Sequence, residues 1–220
     1  MVGFLSWRIL VKLCMVVMLA VLQGAGFGSA VLADKFKLGG DVLFYDTDSA
    51  PQGQDEITWQ DVETLVLMLR QHQQVETLHL NSAGGLIEAA REMADIIIDF
   101  ELDTRVTDEC ASACVTLFLA GQSRQLDRGG RLGFHRSSWD AASMEQYYKD
   151  AKTDIGWGSL YEFASWSYEE AQKDVLSEME YLLERGVDPE FAIKTLRAEN
   201  TDMWFPRRRE LTLAGVVSQP

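Results

Sequence analysis

Residues 77–100 read TLHLNSAGGLIEAAREMADIIIDF, and three kinds of order follow one another within them. Thr77-Leu78-His79-Leu80 alternates polar and apolar side chains, the period of a strand with one buried face. The alternation stops at Asn81-Ser82-Ala83-Gly84-Gly85, a cluster of turn residues. Leu86 to Phe100 then carries apolar residues at the spacing of an amphipathic helix. A strand that turns through glycines directly into such a helix opens a βα unit, and the flanking sequence continues the theme. Upstream, residues 41–45 (DVLFY) form a short strand. Thr58 to Gln71 forms a helix with Val62, Leu65, Val66 and Leu69 on one side, Thr58 as N-cap and Asp61 completing a variant capping box. Downstream come a strand over Leu102–Thr107, an apolar helix over Ser112–Ala120, and short strands over Arg124–Leu126 and Arg131–Phe134. Strand, helix, strand, helix, strand with brief connections predicts an α/β domain with parallel pairing. Ala142 to Gly186 is mostly helical and rich in Glu, Tyr and Trp, and Asp188-Pro189 opens a shorter helix ending near Ala198.

The N-terminus has a different character. Arg8 and Lys12 precede an uninterrupted apolar run, Leu13 to Leu22, and small residues lead to Val31-Leu32-Ala33. That is the layout of a secretory signal peptide, and the run is far short of the roughly 20 residues that span a bilayer. We expect residues 1–33 to be a signal peptide cut after Ala33, with Ala30 or an uncleaved anchor as the alternatives, and residues 34–220 to be one domain. The expected location is therefore periplasmic or secreted, with no stable membrane insertion after cleavage. A net charge of −14, more negative once Arg8 and Lys12 leave with the leader, repels nucleic acid and anionic lipid. Hydrophobic content of 47% with only four prolines suits an ordered globular chain. Arg207-Arg208-Arg209 runs against the charge and is expected as a surface cluster or in local pairs with acids.

Three segments carry chemistry. Asn81-Ser82-Ala83-Gly84-Gly85 leaves backbone N–H groups free of Cβ obstruction at a helix start, which serves equally for an oxyanion hole or a plain tight turn. In Cys110-Ala111-Ser112-Ala113-Cys114, Ser112 stands between small neighbours at the start of the apolar helix, as a nucleophile or as the helix N-cap. Gly133-Phe134-His135-Arg136 places a histidine just past a strand end, where a general base would stand. His79 alternates into the sheet as packing, and His72 is solvated. Cys110 and Cys114 bracket Ser112 and form either a disulfide or two buried thiols. No His or acid completes a metal set with them, so no metal and no cofactor is expected.

The order of an N-S-x-G-G loop after a strand, an A-S-x segment at a helix start and a histidine after a short strand resembles the proteolytic subunit of the Clp protease. It is closer still to exported relatives of that subunit in which the serine lies in a C-A-S-A-C segment. The resemblance runs from about Thr77 to Gly215. It implies the ClpP/crotonase-like spiral of ββα units, with a helical extension over about 142–186 that mediates subunit contacts. It implies Ser112 as nucleophile, His135 as general base, and the N–H groups of Gly85 and Ala113 as oxyanion donors. Asp202-Met203-Trp204-Phe205, ahead of Ala214-Gly215-Val216-Val217, matches the tail that holds the family's third residue. Asp202 is the choice there, with Asn200 or Thr201 as alternatives because the distance to Gly215 is one residue longer than in the protease. Ala83 stands where the protease carries Pro, and the cysteines have no counterpart in it.

The resulting expectation is a serine peptidase that works without ATP or an ATPase partner, on peptide or unfolded-protein substrates, as a homo-oligomer. A catalytically degenerate binding or assembly module and an esterase on the same fold are the competing readings.

Overall fold

Gly40 and Asp41 turn the chain back on itself between β1 (Phe36–Gly39) and β2 (Val42–Asp46), an antiparallel hairpin with Phe36 opposite Tyr45. The computed structural model describes residues 35–199 and 201–218, so the expected leader, and Asn200, lie outside the described residues. β1 was not legible as a strand from its own residues, yet Gly40 takes φ 70°, the conformation such a two-residue hairpin turn requires.

From β2 to β6 the named strands pair in parallel. Helix α1 (Trp59–Gln71) carries the chain to β3 (Thr77–Ser82), α2 (Ile87–Asp99) to β4 (Asp103–Ala111), and α3 (Ala113–Ala120) to β5 (Arg124–Leu126) and β6 (Arg131–Gly133). The sheet order is β1-β2-β3-β4-β5, with β6 also on β4. One face of the sheet is apolar. Leu43, Tyr45, Leu78, Leu80 and Val106 are sealed beneath α1, α2 and α3, which contribute Leu65, Leu69, Met93, Ile97, Leu117 and Phe118. The alternation in residues 77–80 decides this: Leu78 and Leu80 face the helices while His79 faces outward, half-buried, its Nε2 on Thr107 Oγ1 at 2.5 Å. His79 is thus bonded across the outer face rather than packed into the core.

The start of α1 rests on a buried polar cluster. Asp61 accepts from the Thr58 N–H at 2.8 Å, the link expected of the capping box, and also from Tyr45 Oη at 3.0 Å and Lys35 Nζ at 2.9 Å. Burial and the Asp61 carboxylate push the Tyr45 phenol far above its ordinary range, so it remains a donor.

β4 is longer than its sequence suggested, and this length builds the site. Its first half pairs with β5 (Thr104 opposite Arg124) and its second half with β6 (Glu109 opposite Arg131, Ala111 opposite Gly133). Between the halves its register with β3 shifts, and Asn81 Oδ1 accepts the Glu109 N–H at 3.4 Å across the irregularity.

After β6 come α4 (Ala141–Ile155) and α5 (Leu160–Glu184), then α6 (Pro189–Thr195) and α7 (Arg208–Leu213). The C-terminal turns of α5 pack on α3. Tyr181 Oη donates to the Thr116 carbonyl at 2.7 Å, and the Arg185 guanidinium closes the Leu119 and Ala120 carbonyls at the C-terminal end of α3. The N-terminal turns of α5 pair with α4 around a small core of their own. Trp157 and Phe163 are buried there, their ring centroids 4.9 Å apart, with Tyr147, Tyr148 and Trp166 against them. The aromatic excess in this stretch is therefore largely spent within the hairpin itself. No helix among the described residues is long and apolar enough to cross a membrane.

Candidate active site

Ser112 stands at the sharp junction between β4 and α3. Its backbone takes φ 54° and ψ −128°, a region that non-glycine residues rarely enter and that costs on the order of 1–3 kcal/mol. Three contacts hold it there. The Ser112 N–H donates to the Gly133 carbonyl at 2.9 Å, extending the β4·β6 ladder by one step. Gly84 presses against the turn from the glycine loop: a Cβ at that position would lie 2.8 Å from Ser112 Cβ and 3.0 Å from the Ala111 carbonyl oxygen, which excludes any side chain. Cys110 and Cys114 are joined in a disulfide that spans the turn, with a Cα separation of 5.2 Å, and both are fully buried. Closing so short a loop contributes about 2 kcal/mol through the unfolded chain. A Cys110→Ala/Cys114→Ala double variant is therefore expected to lose that amount in urea unfolding followed by circular dichroism.

Because Ala111 is opposite Gly133, the residue two past Gly133 is carried alongside Ser112. That residue is His135, and its Nε2 lies 2.7 Å from Ser112 Oγ. Its other nitrogen, Nδ1, is 2.9 Å from the main-chain carbonyl of Arg136. A carbonyl oxygen only accepts, so Nδ1 carries the proton and Nε2 presents its lone pair to the serine hydroxyl. That tautomer is the one a general base needs. Ser112 and His135 are both half-buried and open onto one cleft of about 180 Å³.

Gly85 and Ala113 line the same cleft. Ile57 accounts for the main-chain groups on either side of Gly85: its N–H donates to Gly84 O at 2.8 Å, and its carbonyl accepts from Leu86 N at 2.9 Å. Among the described residues the Gly85 N–H has no main-chain partner, and Ala113 opens α3, where the first N–H groups have no intrahelical acceptor. Two donors beside a serine–imidazole pair can stabilise a developing oxyanion.

Asp202 is not part of this arrangement. Phe134 pairs with Trp204 in an antiparallel bridge and Arg136 N donates to Ala198 O, so the tail crosses the His135 strand at those two points. Asp202 lies in the exposed turn between them, its own N–H on Glu199 O, and forms no hydrogen bond with His135. The spacing of the tail pointed to Asp202; the Phe134–Trp204 register instead leaves the Arg136 carbonyl on Nδ1. Thr201 is exposed in the same turn. Sequence reasoning had no access to the Arg136 carbonyl, because a main-chain group leaves no trace in residue identity. In the Arg207–Arg209 cluster, Arg208 donates to the Asp127 carbonyl while Lys194 pairs with Glu210 at 3.7 Å. Among the described residues, no group of three or more His, Cys, Asp or Glu is gathered as a metal site.

No protein-family model matches this sequence, and no curated protein matches it. Solved structures do match. ClpP1 from Listeria monocytogenes is 19% identical with a TM-score of 0.52, over 74% of this chain and 84% of that one. A point mutant of the same ClpP1 is 21% identical with a TM-score of 0.49 over the same shares. At this identity the first match speaks for the fold alone: an α/β architecture with a mixed sheet and flanking helices, broadly like that of ClpP.

Proposed function

We propose that this chain is an exported serine hydrolase, an ATP-independent peptidase in which Ser112 is the nucleophile and His135 the general base. The observation that carries the reading is the 2.7 Å contact from Ser112 Oγ to His135 Nε2, with Nδ1 committed to an acceptor-only carbonyl. In the proposed reaction Ser112 Oγ attacks the substrate carbonyl carbon as its proton passes to Nε2. The carbonyl oxygen becomes an oxyanion between the Gly85 and Ala113 N–H groups. The tetrahedral intermediate collapses, the leaving amine takes the proton from Nε2, and an ester remains on Ser112. Water, deprotonated by the same nitrogen, then releases the acid and restores the serine. An ester substrate would follow the same steps with an alcohol as leaving group.

Export is supported by the leader-like N-terminus and by the Cys110–Cys114 bond, which persists in oxidising compartments. Self-association is supported by apolar side chains left uncovered along α5, among them Tyr161, Tyr168 and Leu176. A binding module with a degenerate site is the second reading, and what favours it is that Nδ1 of His135 meets a main-chain carbonyl and no carboxylate among the described residues.

Labelling of the mature protein by a fluorophosphonate probe separates the two. The expected result is stoichiometric modification that disappears in Ser112→Ala. Equal labelling of both proteins removes Ser112 as nucleophile, and no labelling of either favours the binding module.

A further inference from the structure

The cleft that opens on Ser112 continues to a pair of charged side chains, Arg91 of α2 and Glu178 of α5. Their position follows from the packing of α5 on α3. Tyr181 is bonded to Thr116, one turn past Ser112, and Glu178 precedes Tyr181 by three residues, on the same side of α5. Both charged groups are half-buried, and among the described residues neither makes a hydrogen bond or an ion pair. A charge sealed more deeply elsewhere is matched: Lys35 by Asp61. Burial pushes the Glu178 carboxyl up, Arg91 opposes that rise, and Asp174 adds to it.

A half-buried carboxylate inside a cleft, with a cation near it but no hydrogen-bonded partner among the described residues, is a place where an incoming cation gains more than it would at the open surface. We propose that Glu178 is a specificity-determining residue, receiving the Lys or Arg side chain of a peptide whose carbonyl carbon lies against Ser112. Ile87, Val115 and Leu182 on the cleft wall suit the aliphatic stem of such a side chain, leaving its charged end to the carboxylate. Arg91 helps to keep Glu178 ionised. An acidic side chain drawn to Arg91 would have to approach Glu178 against the field of a chain with net charge −14, whereas a cationic peptide is steered inward.

The inference rests on the serine hydrolase reading and is tested so that the two fail separately. The mature protein is given fluorogenic peptides that differ only in the residue before the cleaved bond: arginine, lysine, norleucine or glutamate. Arginine and lysine are expected to exceed norleucine in kcat/KM by roughly 10- to 100-fold, the range of a charge-assisted hydrogen bond. Glu178→Gln is expected to bring that ratio close to one and Glu178→Lys to invert it toward glutamate, with folding of each variant checked by thermal unfolding. A wild-type preference for norleucine or glutamate overturns the proposal, as does a basic preference that survives Glu178→Gln or that only Arg91→Gln alters. Absence of fluorophosphonate labelling at Ser112 removes both readings together. Labelling with a norleucine preference removes this one alone.

Discussion

Replacing His135 by alanine is expected to slow acylation of Ser112 by about 10²–10⁴-fold, the usual worth of a positioned general base. Asp202→Ala is expected to change the same rate by no more than a few-fold. The contrast follows from which group occupies Nδ1. The Arg136 carbonyl fixes the imidazole tautomer and orientation, but it carries no formal charge to stabilise the imidazolium that forms during attack. A site of this kind keeps the base and gives up part of the electrostatic assistance that a buried carboxylate supplies. Asp202, exposed in its turn, has no charge contact at His135 to lose. The measurement is the second-order rate of fluorophosphonate inactivation for wild type and both variants, which reports nucleophilic attack by Ser112 without requiring the natural substrate. If Asp202→Ala falls as far as His135→Ala, the tail rearranges when a ligand binds and brings its acid to the imidazole. If His135→Ala reacts as fast as wild type, the 2.7 Å contact has no catalytic role.

The parts of the fold that were legible in the sequence are those whose signal is local. Leu78 and Leu80 alternate with polar neighbours because a strand has two faces, and Gly84 and Gly85 end the strand because the backbone there takes φ 115° and 149°. Helices α1 and α2 were visible for the same reason, from apolar spacing within each, and α3 from its unbroken apolar run. Long-range pairing left weaker traces. The strand reads as ending at Thr107, yet Asp108 and Glu109 also belong to β4, which needs those residues to reach β6 and bring His135 to Ser112. Asp41 reads as the first residue of the strand but sits in the turn of the β1–β2 hairpin, and only the pairing of Phe36 with Tyr45 makes residues 36–39 a strand. Asp202 illustrates the limit most directly. Spacing to Gly215 says how many residues intervene; it does not say which one the Phe134–Trp204 bridge will turn outward.

Asp61→Ala is expected to destabilise the domain by about 3–5 kcal/mol, as removal of one partner from a buried ion pair does. The Asp61 carboxylate is fully buried and accepts from three elements at once: Lys35 before β1, Tyr45 in β2 and Thr58 at the start of α1. Without it an ammonium, a phenol and a backbone N–H lose their common acceptor inside the protein. Among the described residues Lys35 Nζ then keeps the Glu56 carbonyl alone, at 2.7 Å. Replacing both ends of the pair, with Lys35→Met added to Asp61→Ala, is expected to recover part of the loss, because the stranded charge is then gone. Urea unfolding of the wild type, the two single variants and the double variant checks this, and simple additivity of the two losses would show that the pair is not coupled. The effect should also reach the candidate site. Thr58 follows Ile57, whose N–H and carbonyl hold Gly84 O and Leu86 N on either side of the Gly85 N–H. A loosened α1 start therefore loosens one of the two proposed oxyanion donors. Asp61→Ala protein that remains folded at low temperature is expected to react more slowly with fluorophosphonate than wild type, although Asp61 does not line the cleft.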